Sequence, residues 1–188
     1  MGINTPQARL SFPHLFTAEL NDLSGKMEYS TVALFPKGAD LSEMKAAAQA
    51  AVVAKWGSDP AKWPSPLKSP FRDQGEGGRA DKYSGYEAGA TFVTFKSQNR
   101  PGVVDVNVKA VIDPSRVYAG VWAIIHTNCY AYDNKGNRGV AFGLEHVQVI
   151  KDDEPLDGRT KVEGAFKAIA GTGTVNAAAG APANALFG

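Results

Sequence analysis

The chain has 188 residues, 44% hydrophobic and 21% charged, which are ordinary globular values at a length that buries a real core without staples. No apolar run approaches the ~20 residues of a membrane helix, and Met1 to Leu10 lacks the basic-then-apolar pattern of a secretory signal, so a cytoplasmic location is expected. The 20 basic residues against 19 acidic ones leave a net charge of +1, which advertises no nucleic-acid partner, and the single cysteine, Cys129, excludes disulfide frameworks and Cys-rich zinc sites.

In chain order, short β-branched and aromatic runs predict strands near Ala8 to Phe12 and Glu28 to Phe35. One helix follows. Leu41, Met44, Ala48, Val52 and Trp56 recur at helical spacing, Asp40 with Glu43 resembles a capping box, and Gly57 supplies a stop, so a helix over 41–56 is expected to plug one end of a barrel. From Pro60 to Gly89 prolines and glycines break the pattern, and a loop of this length is functional or mobile. Gly75, Gly77 and Gly78 read there as flexible linker. Further strands are predicted near Ala90 to Ser97, Val103 to Ile112, Val117 to Tyr132 and Arg138 to Ile150. The class is therefore mainly β. After Gly171 the text GTGTVNAAAGAPANALFG is uncharged and poor in large apolar residues, so a domain over 1–170 and a disordered tail over 171–188 are expected.

Charge is informative by segment. Residues 55–109 hold nine Lys or Arg against six acids, a local +3, whereas residues 150–188 hold four against five, a local −1. Eleven of the eighteen aromatic residues lie within 56–132, interleaved with the basic segment.

Catalysis finds no convergent reactive groups. The three histidines, His14, His126 and His146, lack metal-ligand spacing, and there is neither a Gly-x-Ser-x-Gly elbow nor a Walker loop, so no enzyme activity, metal or cofactor is expected. Cys129, flanked on its face by Thr127 and Ala131, reads as a buried structural thiol.

Binding has better candidates. Alternation over Val117 to Tyr132 assigns Val117, Ala119, Val121, Ala123, Ile125, Thr127, Cys129 and Ala131 inward, and Tyr118, Trp122, Ile124, His126, Asn128, Tyr130 and Tyr132 outward. Ala90 to Ser97 sets Phe92, Thr94 and Lys96 opposite Val93 and Phe95, and Val103 to Val111 assigns Val104, Val106 and Val108 inward. Tyr83 and Tyr86 add rings in the loop, Phe71 with Arg72 can clamp a base and its phosphate, and Asp133 to Arg138 forms a hairpin tip with Lys135 and Arg138. Such aromatics stack on bases at ~1–3 kcal/mol each, or else form a subunit interface in a structural or assembly module.

The stretches SFPHLF (Ser11 to Phe16), YSTVALFPK (Tyr29 to Lys37), SPFRD (Ser69 to Asp73), RPGVVD (Arg100 to Asp105) and CYAYDNKGNRGVAFGLEHVQ (Cys129 to Gln148) resemble the phage single-stranded-DNA-binding proteins with a modified OB-fold. The resemblance spans most of residues 8–160. It implies an OB-fold-like Greek-key barrel that binds single-stranded DNA in phage replication, recombination or repair, without a catalytic site. Replication or recombination proteins and other copies of the chain on DNA are the partners it suggests. Phe71, Arg72, Arg100, Tyr130, Tyr132, Lys135 and Arg138 fall within the matching motifs; Tyr83, Tyr86, Phe92, Lys96 and Trp122 rest on the residue patterns alone. Two features depart from such proteins: the chain's last residues, ALFG, lack acids, and the helix precedes the third strand signal, which suggests additional strands or a rearranged barrel.

Overall fold

The structure is a computed structural model and describes residues 2–22 and 24–157. Its strands are β1 (Ile3–Asn4), β2 (Ala8–Asn21), β3 (Lys26–Leu34), β4 (Arg72–Asp73), β5 (Thr91–Ser97), β6 (Gly102–Val104), β7 (Trp122–Thr127), β8 (Cys129–Asn134), β9 (Asn137–Gly143) and β10 (His146–Lys151). Among the described residues two α-helices, α1 (Ser42–Trp56) and the single turn α2 (Arg79–Lys82), interrupt them. All ten strands form one sheet in the order β6-β10-β7-β2-β3-β5-β9-β8, with β1 beside β7 and β4 beside β5. The β5–β9 and β6–β10 pairs are parallel; the other ladders are antiparallel.

One face of this sheet is apolar along its whole width. Leu10 and Leu15 of β2, Ala33 of β3, Phe95 of β5, Ile125 of β7, Phe142 of β9 and Val147 of β10 are all at most 1% exposed and share one cluster. Residues spread over so many strands meet only if the sheet curls, and α1 fills the curl with Met44, Ala48 and Val52. α1 rests against β8 and β9. It begins without a reciprocal capping box: the N-cap is Leu41, and the Asp40 carboxylate accepts the Ser42 N–H at 2.9 Å. Gly57, at φ 87°, donates its N–H to Val53 O and ends the helix as expected.

Four elements differ from their sequence expectations. β2 runs on past Phe12 because register shifts between Ser11 and His14, and again before Glu19, absorb Pro13 and keep the ladder with β3. The run after Val103 is a tight turn and not a long strand: Asp105 accepts the N–H groups of Asn107 and Lys109 at 2.8 and 3.0 Å. Val108 stands at φ 60°, and Val106 and Val108 are 55% and 72% exposed, so the inward assignment of Val104, Val106 and Val108 is corrected to Val103, with Val111 partly buried against the core. The Val117 to Tyr132 run becomes a strand only at Trp122 and divides at Asn128, and Arg138 to Ile150 divides before His146.

The segment after Asp73 is pinned, contrary to the linker expectation for its glycines. Gln74 is 2% exposed; its Nε2 donates to Phe35 O and Thr91 O, and its Oε1 accepts the Glu87 N–H. Asp73 accepts from the Gly75 and Gly89 N–H groups, closing the base of the same loop. Gly77 and Gly78, at φ 65° and 72°, turn the chain through a 3-10 turn into α2. The expected tail over 171–188 lies outside the described residues.

Candidate nucleic-acid interface

The outward face of the central strands is set by register. Leu34 pairs with Phe92, Val32 with Thr94 and Ser30 with Lys96, and Arg72 of β4 pairs with Phe92 from the other side. Across β9, the β8 residues Cys129 and Ala131 pack on the core, which leaves Tyr130 and Tyr132 outward. Three clefts lie on this surface. One of about 430 Å³ is lined by Lys96, Asn99, Arg100, Asn128, Tyr130 and His146. One of about 390 Å³ is lined by Phe12, Tyr83 and Leu156, among others. The third, about 350 Å³, shares Phe12 with the second and Lys96 with the first, so the three adjoin as one track; Glu19, Asp22 and Glu28 also line it, so the middle of the track carries acids.

At one end of the track aromatic rings follow one another. Phe12 meets Tyr83 edge to face at 5.4 Å, Tyr83 meets Tyr86 at 5.5 Å and Tyr86 meets Phe92 at 6.1 Å. Only the first two are open, Phe12 46% and Tyr83 39% exposed. Tyr86 and Phe92 are 8% and 3% exposed in a small second cluster with Leu34, so as base platforms they are corrected to supports. The Tyr86 hydroxyl bonds to Ser11 Oγ, and burial raises its pKa above the ordinary tyrosine value. Phe12 reaches the surface through a backbone at φ 47°, a conformation rare for an aromatic residue, at the irregularity that Pro13 introduces.

The other end is cationic. Lys96 Nζ lies 3.7 Å from Glu28, and the Arg100 guanidinium stands 5.6 Å over the Phe16 ring, both side chains reaching solvent beside Tyr130. Tyr130 is 48% exposed; partial burial, followed by the charge of Glu28, raises its hydroxyl pKa. His146 accepts the Gly102 N–H through Nδ1 and stacks on His126 at 6.1 Å.

The remaining sequence candidates separate. Phe71 is turned inward, its ring 5.8 Å from Phe142 in the core, so its role as a base clamp is corrected to packing. Arg72 is exposed but held by Glu76 through two bonds of 2.9 Å. Trp122 is covered: Lys151 Nζ lies 4.8 Å over its ring, its Nε1 donates to Asp153, and Tyr118 bonds to the same segment, so it too is corrected to a structural role. Tyr132 lies across Gly139, where a Cβ would stand 2.8 Å from the tyrosine oxygen and 2.6 Å from Lys68 O. Lys135 and Gly136, at φ 51° and 85°, form the two-residue hairpin tip. Arg138 returns to Asp133 at 2.8 Å, and that bond is the chief reason the Asp133 carboxyl lies below the usual range. The tip lies beyond Tyr132, outside the three clefts. Phe12, Asn99 and Asn128 line the track; alternation already places Asn128 outward but singles out neither Phe12 nor Asn99, and Phe12 carried one signal, an aromatic directly before proline in SFPHLF.

Among the described residues no group of three or more His, Cys, Asp or Glu side chains could hold a metal. The Cys129 thiol is pushed up to about 11 by burial, the opposite of an activated nucleophile.

A curled sheet plugged by one helix, with open rings at one end of a solvent-facing track and cations at the other, has the build of a stacking-type nucleic-acid-binding module. The chain belongs to the family described as Enterobacter phage Enc34, ssDNA-binding protein, whose model matches residues 1–176. The fold is similar to that of the single-stranded DNA-binding protein from bacteriophage Enc34 in complex with ssDNA, at a TM-score of 0.63 and 20% identity over 82% of this chain and 88% of that one. It is also similar to gp2.5, a single-stranded DNA-binding protein encoded by bacteriophage T7, at a TM-score of 0.55 and 16% identity over 85% of this chain and 97% of that one. A search of curated proteins finds no match.

Proposed function

We propose that this chain is a modified OB-fold module that coats single-stranded DNA with little sequence preference in phage replication, recombination and repair, in the cytoplasm of the infected cell. The observation that carries the reading is the line of adjoining clefts from Phe12 and Tyr83 past Lys96 to Arg100 and Tyr130. Rings accept any base face, and cations follow the backbone without reading sequence. Family membership and the likeness to two phage single-stranded-DNA-binding proteins support the same conclusion.

A fluorescence titration with oligo(dT) at low and high salt tests it. Quenching and a gel shift at micromolar protein are expected, weakening as salt rises; neither signal at either salt contradicts the proposal. The rival reading, a phage assembly module, draws on the exposed apolar side chains Val106, Val108 and Ile112. It requires a stable oligomer without affinity for nucleic acid, which sedimentation with and without oligo(dT) distinguishes.

A further inference from the structure

Two guanidinium groups converge on the buried Phe92 ring. Arg72 lies 5.2 Å from its centroid and Arg79 lies 5.3 Å from it. A guanidinium held over a ring keeps its in-plane N–H donors available, and those donors match two coplanar anionic oxygens. Arg72 spends its fork on Glu76, with Nε and Nη2 each 2.9 Å from a different carboxylate oxygen. Arg79 Nε is enclosed without a hydrogen-bond partner. The Glu76 carboxyl is held below the usual range first by its bond to Arg72, with the charges of Arg72 and Arg79 adding to it. It is 49% exposed, so little but the ion pair keeps it there.

We infer that Arg72 and Arg79 over Phe92 form a phosphodiester seat, which the Glu76 carboxylate occupies when no DNA is bound. A carboxylate and the two non-bridging oxygens of a phosphodiester present the same fork to arginine, so Glu76 stands in for a backbone phosphate. The seat lies over Phe92, which the row of contacts through Tyr86 links to the open pair Phe12 and Tyr83, so it neighbours the aromatic end of the track. DNA entering the seat displaces Glu76, whose exposed side chain swings into water. The free protein thereby carries an internal competitor for its own ligand. This inference rests on the single-stranded-DNA reading above and adds the ligand chemistry of one position within it.

The test is anisotropy of labelled oligo(dT) with the full chain and four variants: Glu76→Gln, Arg72→Lys, the double variant, and Glu43→Gln as a control for loss of a negative charge on the exposed side of α1. Glu76→Gln is expected to tighten binding on the order of two- to fivefold, the range of an exposed ion pair. Glu43→Gln is expected to stay at wild-type affinity. In the Arg72→Lys background, which keeps the charge and loses the fork, the gain from Glu76→Gln is expected to vanish. Wild-type affinity in Glu76→Gln, an equal gain in Glu43→Gln, or a gain that persists with Arg72→Lys overturns the seat while leaving the broader reading standing. A wild-type chain that does not bind oligo(dT) at all overturns both.

Discussion

The rings of Phe12 and Tyr83 meet edge to face at 5.4 Å, one brought from a kink in β2 and the other from the loop after α2. Neither is buried, and each leaves area to solvent in the same cleft. An exposed aromatic pair held by rigid neighbours presents stacking surface at little entropic cost.

Replacing Tyr83 or Phe12 with Ala is therefore expected to weaken oligo(dT) binding by ~1–3 kcal/mol each while leaving the unfolding midpoint nearly unchanged. Phe92→Ala is expected to do the reverse first, costing ~3–5 kcal/mol of stability as a buried ring is lost. Urea melts and anisotropy titrations on the same samples separate the two effects. Equal loss of stability in all three variants would refute the division between open and buried rings.

That division was only half legible in the sequence. Alternation correctly separates Cys129 and Ala131 from Tyr130 and Tyr132, and Val93 and Phe95 from Phe92 and Lys96, because a pleated strand imposes period 2 regardless of context. What covers the outward residues is a tertiary matter. Phe92 is outward yet roofed by Tyr86, Arg72 and Arg79, and Trp122 is outward yet roofed by Lys151 and Asp153. The run after Val103 misled for a different reason: the Asp105 carboxylate captures two backbone N–H groups, and that local bonding replaces the ladder that valines prefer.

Salt dependence probes the cationic end. Lys96→Ala and Arg100→Ala are each expected to make the logarithmic salt slope shallower by about 0.7, the single-strand value for one phosphate contact. Titrations between 50 and 200 mM salt, roughly the range over which such slopes are resolved, measure it. Unchanged slopes would remove these residues from the backbone path.

Gln74 couples stability to the track. Gln74→Ala leaves the carbonyl of Phe35 and the N–H of Glu87 without their side-chain partner, while Thr91 O keeps the Phe35 N–H, at an expected cost of about 1–3 kcal/mol. The same loop carries Tyr83, so amide exchange across 75–90 is expected to quicken and oligo(dT) affinity to fall. Faster exchange with undiminished affinity would show that the clip does not position the ring.

Cys129 gives a pH prediction. Burial disfavours the thiolate and lifts the thiol to about 11 from an ordinary value of 9.0. A raised acid proton stabilises the folded state fully below pH 9.0, and that contribution is lost as pH rises through about 11. Alkylation of the folded chain should accordingly be slow at pH 8 and accelerate only toward about 11. Rapid labelling at pH 8 of protein shown to be folded would contradict the partial burial of this thiol.

The central claim, that single-stranded DNA follows the track from Phe12 to Tyr130, is tested most directly by photo-crosslinking an oligonucleotide substituted with 5-iodouridine and mapping the adducts by mass spectrometry. Adducts at Phe12, Tyr83 and Tyr130, lost in excess unlabelled oligo(dT), are the predicted result. Adducts confined to the Trp122 side of the sheet or to the 106–112 turn, with none at these three rings, would contradict it.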